Sequence, residues 1–105
     1  MQKELKVDMD WRPPEGWLDD WQKEAFWILL RCSIWAKDFV CKKSEHGWHI
    51  RIALRKPIMD ELALKLQFLL GDDRVRCKLN YGRWKAGIKD WNKLWKCKVG
   101  RDNKK

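Results

Sequence analysis

The sequence predicts one α+β domain with the element order strand, helix, strand, strand, helix, strand. Three observations carry that prediction. The length of 105 residues suffices for one core and not for two. Apolar and polar residues alternate with a period of two around residues 4–11, 47–54 and 74–80. Two other stretches repeat apolar residues at helical spacing, the second bounded by Pro57 in front and Gly71 behind.

Each element has its own signals. Over residues 4–11, Leu5, Val7 and Met9 oppose Lys6, Asp8 and Asp10, and Pro13-Pro14-Glu15-Gly16 then ends the strand. Residues 17–36 read as an amphipathic helix, with Asp19 and Asp20 at its positive N-terminal end and apolar positions 18, 21, 25, 28, 29 and 32. Residues 38–43 and 47–54 read as a hairpin around Ser44-Glu45-His46-Gly47. In its second arm Trp48, Ile50, Ile52 and Leu54 share one face, and His49, Arg51 and Ala53 the other. Asp60 and Glu61 behind Pro57 start a second helix with apolar residues at 58, 62, 66, 69 and 70, and Gly71 stops it. Residues 74–80 alternate again, Val75, Cys77 and Leu79 against Arg74, Arg76, Lys78 and Asn80, as a fourth strand would. Beyond them Trp84, Ile88, Trp91 and Trp95 lie at helical spacing, while residues 94–99 fit a last edge strand equally well.

Two right-handed β-α-β units in this order give a ferredoxin-like or RNA-recognition-motif-like sheet with both helices on one face. Residues 4–80 would form that core and residues 81–105 a basic aromatic extension. The alternation places Asp8, Asp10, His49, Arg51, Arg76, Lys78 and Asn80 on the open face.

Charge points to a partner. Residues 1–73 carry 12 Lys and Arg against 13 Asp and Glu, whereas residues 74–105 carry 12 against 2. Such an imbalance fits a polyanion, nucleic acid before anionic lipid, or else a solubilising tail. No long apolar run marks a membrane span, and residues 1–10 lack the apolar core of a secretory signal, so an intracellular protein is expected. The cysteines at 32, 41, 77 and 97 have no zinc-ligand spacing. The chain has no Thr and only two Ser and is rich in charge, a bias of proteins from hot environments, where intracellular cysteines can also pair. Nine Trp suggest that a short chain fills its core with bulk.

Asp8 and Asp10, at i and i+2 on a strand, point the same way and could share a divalent metal, or they could be two solvated acids. His49 and Arg51 on the adjacent strand would suit a nucleoside triphosphate beside that metal. His46 reads as an exposed turn residue.

The segment Val7-Asp8-Met9-Asp10-Trp11 resembles the first motif of the archaeo-eukaryotic primase superfamily, a hydrophobic strand ending in Asp-x-Asp. Ser44-Glu45-His46-Gly47-Trp48-His49-Ile50 resembles its second, a turn leading into a strand that carries His. Residues 69–76 are similar to primase-like proteins of archaeal mobile elements. The resemblance implies Asp8 and Asp10 as ligands of Mg or Mn, and His49 as a catalytic-site contact to the nucleotide phosphates. It also implies a role in replication, beside other replication proteins, with DNA ahead of RNA as the nucleic acid. The chain departs from the pattern at its third motif, where residues 78–81 offer Asn80 and no carboxylate. A minimal or inactive primase-like domain, or a metal-dependent nucleotidyltransferase, are both compatible with that pattern.

Binding without catalysis is the alternative, either of DNA or RNA or of a protein. Its residues are Arg51, Arg76 and Lys78 on the sheet and, behind it, Arg83, Lys85, Lys89, Lys93, Lys96 and Lys98 interleaved with Tyr81, Trp84, Trp91 and Trp95, cations that take phosphates between aromatics that stack on bases.

Overall fold

The computed structural model describes residues 1–94. Its first five elements keep the predicted order: β1 (Gln2–Met9), α1 (Trp17–Arg31), β2 (Ala36–Lys43), β3 (Trp48–Ile58) and α2 (Asp60–Leu69). The three strands form one antiparallel sheet in the order β1-β3-β2. Period-two alternation sends Leu5, Val7 and Met9 of β1 and Ile50, Ile52 and Leu54 of β3 to one face, where all are buried. Ala25 and Leu29 of α1, Ala63 and Leu66 of α2, and Leu70 just past it join them in a single apolar core. Gly71, with φ of 104°, ends α2 in the left-handed conformation that its position predicts. The first helix is shorter than expected, ending at Arg31, and Cys32 is exposed beyond it.

The hairpin turn is fixed by close backbone contact. Ser44 N–H donates to Gly47 O at 2.8 Å, and Gly47 N–H donates to Ser44 Oγ at 3.1 Å. A Cβ on Gly47 would stand 1.8 Å from Met9 O and 2.7 Å from Trp11 O, so the chain leaving β1 crosses directly over this residue. Because the obstructing atoms are main chain, Gly47→Ala is expected to cost about 3 kcal/mol, the upper end of overpacking effects, by urea denaturation. A loss below about 0.5 kcal/mol would mean that the crossing has slack.

The sixth element departs from expectation. Residues 74–80 are not a strand but the start of a helix, α3 (Arg74–Lys85). Among the described residues the sheet therefore has three strands, and the ferredoxin-like order ends at α2. The side of β1 that a fourth strand would pair with is occupied instead by side chains and one loop amide. Glu4 O accepts from Asn92 Nδ2 (3.5 Å), Lys6 N–H donates to Gln67 Oε1 (2.9 Å), and Lys6 O accepts from Arg76 Nη1 (3.0 Å). Asp8 N–H donates to Asp72 Oδ1 (2.7 Å), and Asp8 O accepts from Asp73 N–H (2.8 Å). An edge strand is thus closed without a neighbour strand.

This explains why periodicity misreads the segment. A helix that docks on apolar core shows apolar residues every three or four positions, but α3 buries Arg76, which reaches Lys6 O, and Asn80, whose Oδ1 accepts from Lys93 N–H at 3.4 Å. With polar residues turned inward, the remaining Val75, Cys77 and Leu79 happen to alternate. Arg76 and Asn80 are accordingly absent from the open sheet face, and Lys78 points to solvent from α3.

Two other expectations are corrected. Of the described tryptophans only Trp91 is fully buried; Trp11, Trp27 and Trp35 are each about half exposed, at 48%, 58% and 49%. The apolar stripe at 84, 88, 91 and 95 is not one helix face, because α3 stops at Lys85 and Gly87 turns the chain with φ of 81°. Trp95 and nearly all of the alternative strand over 94–99 lie outside the described residues.

Candidate nucleic-acid interface

The loop between α2 and α3 positions the candidate surface. Asp73 accepts from Arg76 N–H at 3.0 Å as the N-cap of α3, while its own N–H holds β1. Asp72 is buried beside it and receives four donors: the Arg76 guanidinium, Asp8 N–H, Asp73 N–H (3.0 Å) and Cys77 Sγ (3.3 Å). So many donors suit the ionised carboxylate. Burial nevertheless raises the Asp72 carboxyl above the ordinary aspartate value, with Arg76 pulling the other way. Arg76 also donates from Nη2 to Asn92 Oδ1 at 3.0 Å, and Asn92 donates to Gln67 Oε1 at 2.9 Å, so the network ties α2, α3 and the chain beyond Gly87 to one strand.

Cys77 reports on that burial. Its thiol is pushed up to about 12 by desolvation first and then by the adjacent Asp72 carboxylate. A thiol held that high has about a thousandfold less thiolate at pH 8 than an ordinary one, and the compensating rise in nucleophilicity returns part of it. Alkylation of Cys77 is therefore expected to run about thirtyfold to a hundredfold slower than that of exposed Cys32, as followed by peptide mass spectrometry. Equal rates would contradict the burial of Cys77 beside Asp72.

With Arg76 and Asn80 turned inward, the opposite face of α3 is fixed by the helical period. It carries Arg74, Lys78, Tyr81 and Lys85, spaced at four, three and four residues and all exposed. Lys85 Nζ stands 5.7 Å from the Tyr81 ring centroid and 5.5 Å from that of Trp84, and the two rings are 5.9 Å apart. Val75 and Leu79 add exposed apolar surface on one flank. On the other, a groove of about 730 Å³ runs between α2 and α3, lined by Leu64, Phe68, Cys77 and Tyr81 together with Lys65, Arg74, Lys78 and one acid, Glu61, which pairs with Lys65 at 3.7 Å. No acidic residue occurs between Arg74 and Lys89.

The other predicted residues divide. Arg76 is 2% exposed and paired with Asp72, which removes it from any interface. Trp84 is half buried against the core. Arg83 Nη2 donates to Asp90 O (3.2 Å) and Lys93 Nζ pairs with Asp90 (2.9 Å), while Lys89 is exposed. Lys96 and Lys98 lie outside the described residues. Arg74 lies on this face but is not among the residues selected from sequence, whereas Tyr81 is; the four-residue step from Arg74 to Lys78, read behind the Asp73 cap, is the signal that finds Arg74.

The open sheet face holds its expected residues of β1 and β3. Register aligns Asp8 with His49 and Lys42, and Lys6 with Arg51 and Val40. His49 Nε2 is 3.5 Å from Asp8 Oδ1, and Arg51 pairs with Glu4 at 3.1 Å. Lys6 donates to Asn92 O at 2.9 Å, and burial followed by the nearby Arg51 lowers its ammonium below the ordinary lysine value. Acids and bases here balance, in contrast to α3. Asp10 is exposed just beyond β1. Among the described residues no three His, Cys, Asp or Glu side chains are placed to hold a metal ion, and Asn80, at the expected third-motif position, is buried on α3 with its Oδ1 accepting from Lys93 N–H.

Comparison with protein-family models, with curated proteins and with solved structures finds no match to this chain. The primase-like resemblance rests on the motif residues themselves. No helix among the described residues is long and apolar enough to cross a membrane.

Proposed function

We propose that this chain is a nucleic-acid-binding module whose contact surface is the outward face of α3. The observation that carries the reading is the uninterrupted row Arg74, Lys78, Tyr81 and Lys85, three cations and an exposed ring on a helix whose other side is bolted to the sheet. Lys and Arg take phosphates, and Tyr81 offers a face for a base to stack on. The primase-like motifs supply the setting, a replication system inside a cell, with single-stranded DNA as the first ligand to test and other replication proteins as neighbours. Replacing Tyr81 by Ala should weaken binding of a fluorescent oligodeoxynucleotide by about 1–3 kcal/mol, read by anisotropy at low salt. Unchanged affinity would remove stacking from the account.

A second reading follows from the Asp8–His49 contact, which joins two of the primase-like positions. It makes the open face a site for a nucleoside triphosphate, with His49 and Arg51 toward the phosphates. Nucleotide binding read by Trp fluorescence, with and without Mn²⁺ and in Asp10→Asn, tests it. A saturable signal lost in the variant supports it, and no signal in the wild type rejects it.

A further inference from the structure

The two edges of the sheet are treated differently. Five hydrogen bonds to side chains and a loop amide close β1, whereas β2 lies at the other edge with no such cover among the described residues. The register shows which of its groups face out. Lys6 and Asp8 direct their peptide groups away from β3, so Leu5 and Val7 bond to Ile52 and Ile50, and His49 and Arg51 bond to Lys42 and Val40 of β2. Phe39 and Cys41 are left with N–H and C=O pointing outward, and the described backbone hydrogen bonds outside the sheet reach neither.

We infer that this edge pairs with the same edge of a second copy of the chain, antiparallel about Val40. Phe39 and Cys41 of each copy then exchange both backbone hydrogen bonds with Cys41 and Phe39 of the other, and the two sheets become one. Charge selects this register. On the open face it sets Asp38 opposite Lys42 of the second copy at two symmetric places, with Val40, 45% exposed, meeting its own equivalent between them. Centring the pair on Phe39 sets Asp38 against Val40, and centring it on Cys41 sets Lys42 against Val40, so both lose the ion pairs. The Val40 register does bring Lys37 opposite Lys43, but at the ends of the ladder where solvent screens them. Lysines on an edge ordinarily repel a second strand; here one of them has an acid in register.

Sedimentation velocity of the full chain without nucleic acid tests the pairing. At tens of micromolar the wild type is expected at twice the 12.8 kDa monomer mass. Asp38→Lys and Lys42→Asp, both at exposed positions, should each weaken association about tenfold or more, and the two together should restore it. Far-ultraviolet circular dichroism identical to wild type shows that the variants remain folded. A wild type monomeric at about 100 µM, or a double variant no stronger than the single ones, would overturn the inference.

Discussion

Replacing Asp72 by Ala is expected to destabilise the protein by about 3–5 kcal/mol in urea denaturation, the characteristic loss when one partner of a buried ion pair is removed. Arg76 is 2% exposed and its partner side chain fully buried, so the variant leaves a guanidinium in the interior with only carbonyl and amide oxygens to meet it. It also leaves the Asp8 N–H without its acceptor and releases the Cys77 thiol. A domain of this size is held by about 5–15 kcal/mol in total, so such a loss takes away much of it. Changing both partners, Asp72→Ala with Arg76→Met, should cost less than Asp72→Ala alone, because no buried charge is then stranded. A single variant within about 1 kcal/mol of wild type would mean that α3 is not anchored through this pair.

The second large effect concerns binding. Changing Arg74, Lys78 and Lys85 together to Ala removes three exposed cations from a face directed away from the sheet. Stability should therefore stay within about 0.5 kcal/mol of wild type. Affinity for single-stranded DNA at low salt should fall about a hundredfold or more, because the variant can no longer neutralise the phosphates that these cations take. The pairing of these outcomes separates α3 into two sides: one variant loses stability and the other only stops binding.

How much of this was legible in the sequence depends on what each element packs against. β1, β3 and α2 bury apolar residues on an apolar face, so Leu5, Val7, Ile50, Ile52, Ala63 and Leu66 mark them through period alone. Gly71 marks the end of α2 because its left-handed φ is a local requirement. α3 was not legible that way, because what it buries is Arg76 and Asn80 against peptide groups, and hydrophobic periodicity carries no trace of a polar docking face. Its start was written nonetheless, in Asp73 three residues before the Arg76 N–H that it caps. The open-face neighbours Asp8, His49 and Arg51 followed from alternation and register, whereas Arg76, Lys78 and Asn80 were misplaced together with the element that carries them. Trp content misled in a different way: bulk predicts burial, yet Trp11, Trp27 and Trp35 are surface residues.

The most direct measurement of the central claim is the salt dependence of oligodeoxynucleotide binding, wild type beside the Arg74→Ala/Lys78→Ala/Lys85→Ala variant, by anisotropy over about 50–200 mM salt. If α3 lies along the phosphates, the slope of log affinity against log salt falls in magnitude by about two in the variant, near 0.7 for each cation removed. An unchanged slope with unchanged affinity would place the nucleic acid elsewhere on the molecule, and no wild-type binding at low salt would contradict the function itself.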